Sequence, residues 1–217
     1  MSHADGLDST PPLDELLLTA ELRNRDRYQL LTSLVVPRPI AWISSRSAGG
    51  IPNLAPFSYF AALSATPFLV GISIGSRRGV VKDTLRNIQE TNDFCINIVT
   101  ERHLEAMNES SGEHPPEVDE FAVAGVTMAE AESVTAPYVA DCPAVLECTL
   151  QQQLELGNGG NVFVIGEVRA VRLSQGLTRL PDSFLIDPDA LRPVGRLGGE
   201  GYTLVRDIRS LARPAVR

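Results

Sequence analysis

The sequence predicts a mainly β protein with short helices, whose strands close into a barrel. Strand-like segments dominate, the connections are mostly short, and helices do not alternate with strands as they do in a parallel α/β sheet. The clearest two-residue period lies at 145–156, and a glycine-rich turn at 157–160 leads into a second long strand at 161–173. We expect a closed barrel because closure removes the exposed edges of such strands.

Local patterns predict the remaining elements. One or two short helices are expected at 12–34, and the proline-containing segment 37–39 excludes further helix there. A helix is predicted at 82–89 with Asp83 as its N-cap residue, and another near 101–109. The other predicted strands are 40–44, 68–74 and 94–99.

Two strands also carry a prediction about burial. Strand 68–74 is apolar on both faces, which is typical of a buried strand. Alternate apolar residues of 145–156 are expected to share one face, namely Leu146, Cys148, Leu150, Leu154 and Leu156.

Length and composition fit one folded domain. The chain has 217 residues, of which 43% are hydrophobic. We expect an N-terminal tail and helix at 1–27, the main domain at 28–207 and a C-terminal tail at 208–217. The net charge of -8 and the lack of a Lys/Arg run argue against nucleic acid or anionic membranes as partners, although a local site for one small anion stays open.

Cysteine use and the N-terminus indicate a soluble, cytoplasmic protein. Cys95, Cys142 and Cys148 lie in apolar strand-like contexts rather than in paired motifs, so we expect buried, reduced thiols. The N-terminus lacks the basic and apolar regions of a secretory signal, and the longest apolar stretch is too short for a membrane span. Because no His/Cys/Asp cluster has metal-ligand spacing, no metal is expected.

Three segments are candidates for ligand binding. Segment 73–84 places hydroxyl and basic side chains before and at a predicted helix N-terminus, which favours a phosphate, although spacing alone fits a solvated surface helix better. Segment 53–60 has Pro56 among aromatic residues, which indicates either an edge strand approached by a flat ligand or a packed loop. Segment 196–202 has three glycines, which allow the backbone to close over a ligand or to form an ordinary turn.

A hydrolase is a weaker interpretation. Ser73 is the centre of a Gly-x-Ser-x-Gly sequence, the pattern of a nucleophile elbow, which requires a sharp turn from strand into helix. The next helix is expected only near Asp83, and only His103 and His114 follow the serine as candidate bases. The sequence also lacks the glycine patterns of Rossmann and P-loop nucleotide sites.

Five short motifs follow one another between about Tyr28 and Asp207. They are Val-Pro-Arg-Pro-Ile-Ala-Trp-Ile-Ser at 36–44, Asn-Leu-Ala-Pro-Phe-Ser-Tyr-Phe at 53–60, Lys-Asp-Thr with Asn-Ile at 82–88, Phe-Cys-Ile-Asn at 94–97, and Pro-Val-Gly-Arg-Leu-Gly-Gly at 193–199. Each motif is weak alone, but together and in this order they resemble the flavin reductase-like family, whose fold is an FMN-binding split β-barrel.

The resemblance implies a homodimer with FMN near the subunit interface. The residues that it places along the isoalloxazine ring and ribityl chain are Trp42, Ile43, Ser44, Asn53, Ala55, Pro56, Phe57 and Ser58. Those that it places around the phosphate are Ser73, Arg77, Lys82, Asp83 and Thr84. The loop from Arg196 to Tyr202 is expected to close over the site.

The activity that the resemblance implies is NAD(P)H-dependent flavin reduction, with NADH or NADPH as reductant and an oxygenase or electron-transfer protein as partner. Many flavin reductases carry a late histidine near the nicotinamide, whereas this chain has only His3, His103 and His114, so no catalytic residue is assigned. Hydride transfer between two cofactors needs no protein acid. The alternatives are an FMN electron carrier resembling flavoredoxin and a flavin-binding protein without reductase turnover.

Overall fold

The computed structural model describes residues 15–76 and 79–214 and is mainly β with short helices. The helices are α1 (Asn24–Leu34), α2 (Asp83–Thr91), α3 (Leu104–Glu109), α4 (Glu120–Val123) and α5 (Pro188–Leu191). The strands are β1 (Arg38–Pro39), β2 (Ala41–Arg46), β3 (Pro52–Phe57), β4 (Phe60–Ala65), β5 (Phe68–Ile74), β6 (Asp93–Ile98), β7 (Met128–Glu130), β8 (Pro137–Val139), β9 (Ala144–Leu156), β10 (Asn161–Leu173), β11 (Val194–Arg196) and β12 (Tyr202–Leu204).

Seven of the strands form one antiparallel sheet in the order β3-β2-β6-β9-β10-β5-β4. The two edge strands are consecutive in sequence, and the turn between them reaches β5, where the Ser73 N–H donates to the Tyr59 carbonyl at 2.8 Å. Smaller sheets have the orders β1-β11-β12 and β7-β8. This arrangement confirms the predicted fold class, a mainly β split barrel. The expected closure is wrong, because β3 and β4 are edge strands that do not pair with each other.

The central strands β2 and β6 separate two hydrophobic cores. Trp42 and Cys95 belong to the first core, whereas Ile43 and Ile96 belong to the second core. All four side chains are completely buried, as the period of two along a strand requires when both faces of a sheet are covered. Burial of one large apolar side chain contributes roughly 1.5–3 kcal/mol, so these strands form a stable base for the flanking loops.

Helix α2 packs on the second core through Leu85 and Ile88, which lie three residues apart on one face. The helix was predicted, but its N-cap residue is Lys82 and not Asp83. The Asp83 carboxylate instead accepts a hydrogen bond from Arg86 Nη1 at 2.6 Å and forms an ion pair with this arginine.

The predicted single apolar face of β9 is wrong beyond Leu150. Leu150 pairs with Gly166 and Gln152 pairs with Ile165, so one residue of β9 is bulged between these pairs. A one-residue bulge reverses which face the following side chains occupy. Leu154 and Leu156 therefore lie on the opposite face from Leu150.

Burial along β5 is also less complete than predicted. Val70, Gly71 and Ile72 are buried in the middle of the strand, but Phe68 at its start is 46% exposed. The apolar residues on both faces of the strand do not reveal that the buried core ends before Phe68.

The N-terminal helices are confirmed as a 3-10 turn at Thr19–Glu21 and helix α1, whereas residues 1–14 of the tail and helix predicted at 1–27 lie outside the described residues. Residues 205–214 contain neither helix nor strand. None of the helices in the described ranges is both long and apolar enough to cross a bilayer.

Candidate functional site

The candidate site is centred on the edge strand β3, against which the N-terminal turn of α2 is packed. Pro56 lies within β3, where a residue without an N–H group is tolerated because the strand has only one ladder partner. The edge position of segment 53–57 confirms the interpretation of Pro56 as a marker of an edge strand. Ala55, Pro56 and Ser58 are half-buried, and Phe57 is buried.

The structure brings the predicted phosphate segment to both ends of β3. At one end, Thr84 Oγ1 donates a hydrogen bond to Asn53 Oδ1 at 2.7 Å. At the other end, Lys82 Nζ lies 5.0 Å from the centroid of the Phe57 ring, which is within the range of a cation–π contact. Two segments that the sequence separates by some thirty residues therefore form one surface.

The first turn of α2 has the chemistry of an anion site. Its first intrahelical hydrogen bond is donated by the Arg86 N–H to the Lys82 carbonyl, so the N–H groups of residues 83–85 lie ahead of it. Among the described residues, no side chain caps this turn. Uncapped amides at a helix N-terminus and the neighbouring ammonium of Lys82 favour a negatively charged group.

Asn53 is the centre of a buried polar cluster that joins β2, β3, α2 and α4. Its Nδ2 donates to Glu120 Oε1 at 3.0 Å, and its Oδ1 accepts from Ser45 Oγ at 3.3 Å. Ser45 Oγ in turn accepts a hydrogen bond from Asn87 Nδ2 at 3.2 Å. Burial raises the pKa of Glu120, while the hydrogen bonds from Asn53 and Leu54 oppose the rise.

The strand residues 42–44, which were predicted to line the flavin, have their side chains inside the protein. Trp42 Nε1 donates to Ser110 Oγ at 2.8 Å, and Ser44 Oγ donates to the Pro137 carbonyl at 2.6 Å. Ile43 is completely buried in the second core. The three side chains support β2 beside the candidate site, and none of them reaches its surface.

Ser73 is half-buried and lies inside β5, which continues to Ile74. A nucleophile elbow needs a sharp turn from strand to helix at the serine, and β5 has no such turn at this position. The hydrolase interpretation is therefore excluded. Arg77, the other predicted phosphate ligand in this segment, lies outside the described residues.

The Arg196 guanidinium is engaged within its own loop. Arg196 Nη2 donates to the Gly199 carbonyl at 2.6 Å, and its guanidinium carbon lies 4.4 Å from the centroid of the Tyr202 ring. Tyr202 Oη donates to Asn108 Oδ1 at 3.0 Å and so anchors the loop to α3. Arg196 therefore fixes the shape of the loop from Arg196 to Tyr202, the loop that was expected to close over the site.

Arg38 links this loop to the end of β3, a role that sequence reasoning missed. Its Nη2 donates to the Leu197 carbonyl at 3.0 Å, its Nε to Ser58 Oγ at 3.3 Å and its Nη1 to the Thr32 carbonyl at 2.6 Å. The guanidinium therefore joins α1, the turn after β3 and the start of the loop. The presence of an arginine between two prolines at 37–39 was the only signal in the sequence.

Glu120 was also missed, because it lies beyond the polar loop in a short helix with no motif. His114 is half-buried and close enough for its charge to lower the pKa of Glu120. His103 is buried beside Trp42, and burial lowers its pKa.

The clefts of the isolated chain differ in size and place. The cavity bounded by Asn53, Asp83 and Glu120 has a volume of about 110 Å³, which is too small for a flavin. A cleft of about 550 Å³ lies beside the loop, lined by Leu104, Glu105, Asn108, Glu109, Arg196, Glu200 and Tyr202. A second cleft of about 550 Å³, near Thr100 and Arg192, lies at none of the predicted flavin segments.

The three cysteines are buried and free. Burial raises the pKa of Cys142 to about 12 and that of the other two still further, so none is a nucleophile near neutral pH. Within the part of the chain that the structure describes, no three His, Cys, Asp or Glu side chains are grouped as metal ligands.

Comparison with known proteins gives consistent matches over most of the chain. The model of a family described as "Flavin reductase like domain" matches residues 33–185. An uncharacterized protein of Halalkalibacterium halodurans is 38% identical over 200 residues, which are 90% of this chain and 94% of that protein. Nitrilotriacetate monooxygenase component B from Bacillus cereus superposes with a TM-score of 0.87 at 30% identity, covering 91% of this chain and 98% of that one. The 2-nitrobenzoate 2-nitroreductase NbaA of Pseudomonas fluorescens has a TM-score of 0.83 at 30% identity, covering 92% and 96%.

Proposed function

The chain belongs to the flavin reductase-like family, and we propose that it binds FMN and catalyses NAD(P)H-dependent flavin reduction. The observation that carries this proposal is the surface where β3 meets the uncapped first turn of α2. A flat ring and a phosphate are the two recognition elements of FMN, and this surface offers a partner for each.

The phosphate is assigned to the first turn of α2. The amides of residues 83–85 and the Lys82 ammonium provide donors and positive charge for a dianion. Ser73 and Arg77 are assigned to the same proposed cradle because the resemblance to the family implies it. Thr84 contributes through its backbone N–H, since its hydroxyl hydrogen is used by Asn53.

The ring is assigned to β3. An edge strand leaves backbone groups on one side without ladder partners, and a flat heteroaromatic ring can use them. The half-buried residues Ala55, Pro56 and Ser58 supply small side chains for contact with the ring. The chemistry that FMN supplies when bound is acceptance of a hydride from a nicotinamide, while this chain binds and aligns the rings.

We also propose a homodimer that completes the flavin site. Leu63, Leu154, Leu156 and Phe163 form an apolar surface on β4, β9 and β10, which we call the hairpin patch. Leu154 pairs with Phe163 across β9 and β10, and a side-chain carbon added at Gly71 would collide with both Phe163 and Leu63, so the strands bring these side chains together. Leu63, Leu154 and Leu156 are each more than 40% exposed in the single chain, and a second copy would cover them.

An FMN electron carrier is the second candidate function. The cleft beside the Arg196 loop is also lined by Glu105, Glu109 and Glu200, and these carboxylates disfavour a dinucleotide with its phosphate charges. A protein partner with a basic surface would be attracted to the same cleft. For a reductase, the proposed recipient of reduced flavin is an oxygenase, in line with the monooxygenase component among the structural relatives.

Two measurements on the purified protein separate these functions. The visible spectrum and an FMN titration test binding, with about one FMN per subunit expected. Anaerobic mixing with NADH or NADPH then tests reduction, and bleaching of the flavin band within seconds supports the reductase. If dithionite bleaches the band but neither nucleotide does so over minutes, the electron carrier replaces the reductase.

A further inference from the structure

Glu120 has a buried carboxylate that accepts two hydrogen bonds from the edge strand β3. Its Oε1 accepts from Asn53 Nδ2 at 3.0 Å, and its Oε2 accepts from the Leu54 N–H at 3.2 Å. The residue is only 8% exposed, and it is the first residue of α4. Burying a carboxylate is costly, and its two hydrogen bonds from β3, with a smaller contribution from the nearby His114, are the compensation that the fold provides.

The carboxylate fixes the orientation of the Asn53 amide. An ionised carboxylate only accepts hydrogen bonds, so the NH₂ group of Asn53 must face Glu120 and its Oδ1 must face the other way. Oδ1 lies 2.7 Å from Thr84 Oγ1, which therefore donates to it. A continuous chain of hydrogen bonds therefore connects α4 through β3 to the first turn of α2.

We propose that Glu120 is a positioning residue for FMN, acting through Asn53 to hold the first turn of α2 against β3. The inference rests on the proposed function, because it concerns the distance between the parts of the site assigned to the ring and to the phosphate. Glu120 is hydrogen-bonded to β3 at Asn53 and Leu54, ahead of the segment 55–58 that is assigned to the ring, and it reaches the first turn of α2 through Asn53. Correct spacing matters most for a ligand that uses both, so FMN depends on Glu120 more than riboflavin does.

The arrangement predicts what happens when the direction of the hydrogen bond between residues 53 and 120 is reversed by substitution. Glu120→Gln directs an NH₂ group at one of the two donors of β3, and Asn53→Asp places two carboxylates against each other. In the double variant, the new amide at position 120 donates to the new carboxylate at position 53 and still accepts from the Leu54 N–H. The other oxygen at position 53 still accepts from Thr84, so the whole network is restored with the direction of one hydrogen bond reversed.

The test compares FMN and riboflavin affinities of the wild type, both single variants and the double variant by fluorescence titration. Each single variant is expected to weaken FMN by about tenfold or more, the usual effect of losing a hydrogen bond to a charged group, and riboflavin by less. The double variant is expected to return to within about threefold of the wild type.

The matched control is Glu147→Gln. Glu147 is also buried, but it lies on β9 and accepts hydrogen bonds from Ser133 and Arg172. This variant is expected to change thermal stability without changing the ratio of FMN to riboflavin affinity.

The outcomes separate this inference from the function on which it rests. A wild type that binds no FMN overturns both. A wild type that binds FMN, with folded single variants that bind it equally well, overturns the inference alone. A double variant as weak as the singles, with its melting temperature restored, also overturns it and shows that the Asn53 amide contacts the flavin directly. Recovery of FMN affinity in the double variant supports positioning.

Discussion

Lys82 Nζ lies 5.0 Å from the centroid of the Phe57 ring, at the point where α2 begins beside the edge strand. Lys82 is also the only lysine in the sequence. Because Phe57 is buried in the second core, the contact fixes one end of the lysine side chain while the uncapped turn of α2 follows immediately. The positive charge of Lys82 therefore lies next to the uncapped backbone N–H groups of α2.

Lys82→Ala is expected to weaken FMN by about tenfold or more and riboflavin much less, since the ammonium interacts with the phosphate. Lys82→Arg keeps the charge and serves as the control. Because there is one lysine, an amine-selective reagent followed by mass spectrometry reports on Lys82 directly. FMN, but not riboflavin, should protect it, and equal losses of both ligands would contradict the assignment to the phosphate.

Thr84→Val is expected to destabilise the protein even without flavin, in contrast to Lys82→Ala. Thr84 is buried and its hydroxyl donates to Asn53, so the valine leaves a buried acceptor without this donor. The expected loss is about 1–3 kcal/mol in the free energy of unfolding, measured by urea denaturation. Thr84→Ser retains the hydroxyl and should recover most of it. A valine variant as stable as the wild type would show that the hydrogen bond is unimportant.

Leu154→Asp is expected to convert a dimer into a monomer and to reduce FMN binding. Leu154 is the 44% exposed centre of the hairpin patch, and a buried charge at a subunit contact is strongly unfavourable. Light scattering measures the mass. Leu211→Asp, at a residue that is 92% exposed in the C-terminal segment, controls for the added charge. A wild-type monomer with FMN fully bound would refute the dimer.

Stability should depend on pH through Glu120 in a direction that the structure fixes. Burial raises the pKa of Glu120 in the folded protein, so its contribution to stability is present below the ordinary pKa of about 4.3 and is lost as pH rises through the raised pKa. The wild type should therefore lose stability relative to Glu120→Gln as pH rises across that range, by about 1.4 kcal/mol per pKa unit.

Glu147 gives the opposite sign and is the control for that experiment. Burial acts to raise its pKa, but the hydrogen bonds from Ser133 and Arg172 outweigh it and lower the pKa. Its contribution is present above the ordinary pKa and is lost as pH falls through the lowered one. Urea denaturation from pH 3 to 7 should show a loss of stability from Glu147 as pH falls below about 4.3 and a loss from Glu120 as pH rises above it, and parallel trends would contradict the electrostatic assignment.

Arg196→Ala is expected to slow reduction of bound FMN by NADH or NADPH while leaving FMN affinity nearly unchanged. The substitution removes the hydrogen bond to the Gly199 carbonyl and the stacking on Tyr202, so the loop loses its fixed shape. Arg196→Lys keeps the charge but not the planar fork, and it should be slow as well if shape is what matters. Anaerobic stopped-flow measurements of flavin reduction decide whether Arg196 acts through the shape of the loop or through its charge. Full recovery of the reduction rate in Arg196→Lys would indicate a role of charge.

The sequence by itself determined the mainly β class, the long hairpin of β9 and β10, the helix α2 and the family. These features depend on local signals, such as the alternation along 145–150, the glycines of 157–160 and the short motifs around Pro56 and Lys82. Each of these signals involves residues that are close in sequence, and such residues determine the local backbone conformation. Segment-level placement of the candidate site was predictable for the same reason.

Only the tertiary structure decided which side chains of those segments are buried and which lie at the surface of the candidate site. Trp42 lies in a site motif but donates to Ser110, and Glu120 lies in no motif but contacts Asn53, which is 67 residues away. The bulge after Leu150 reverses the exposed face of the hairpin, although the apolar alternation continues unchanged across it. Long-range pairing fixes the direction of each side chain, and neither spacing nor composition records which distant residue will be its partner.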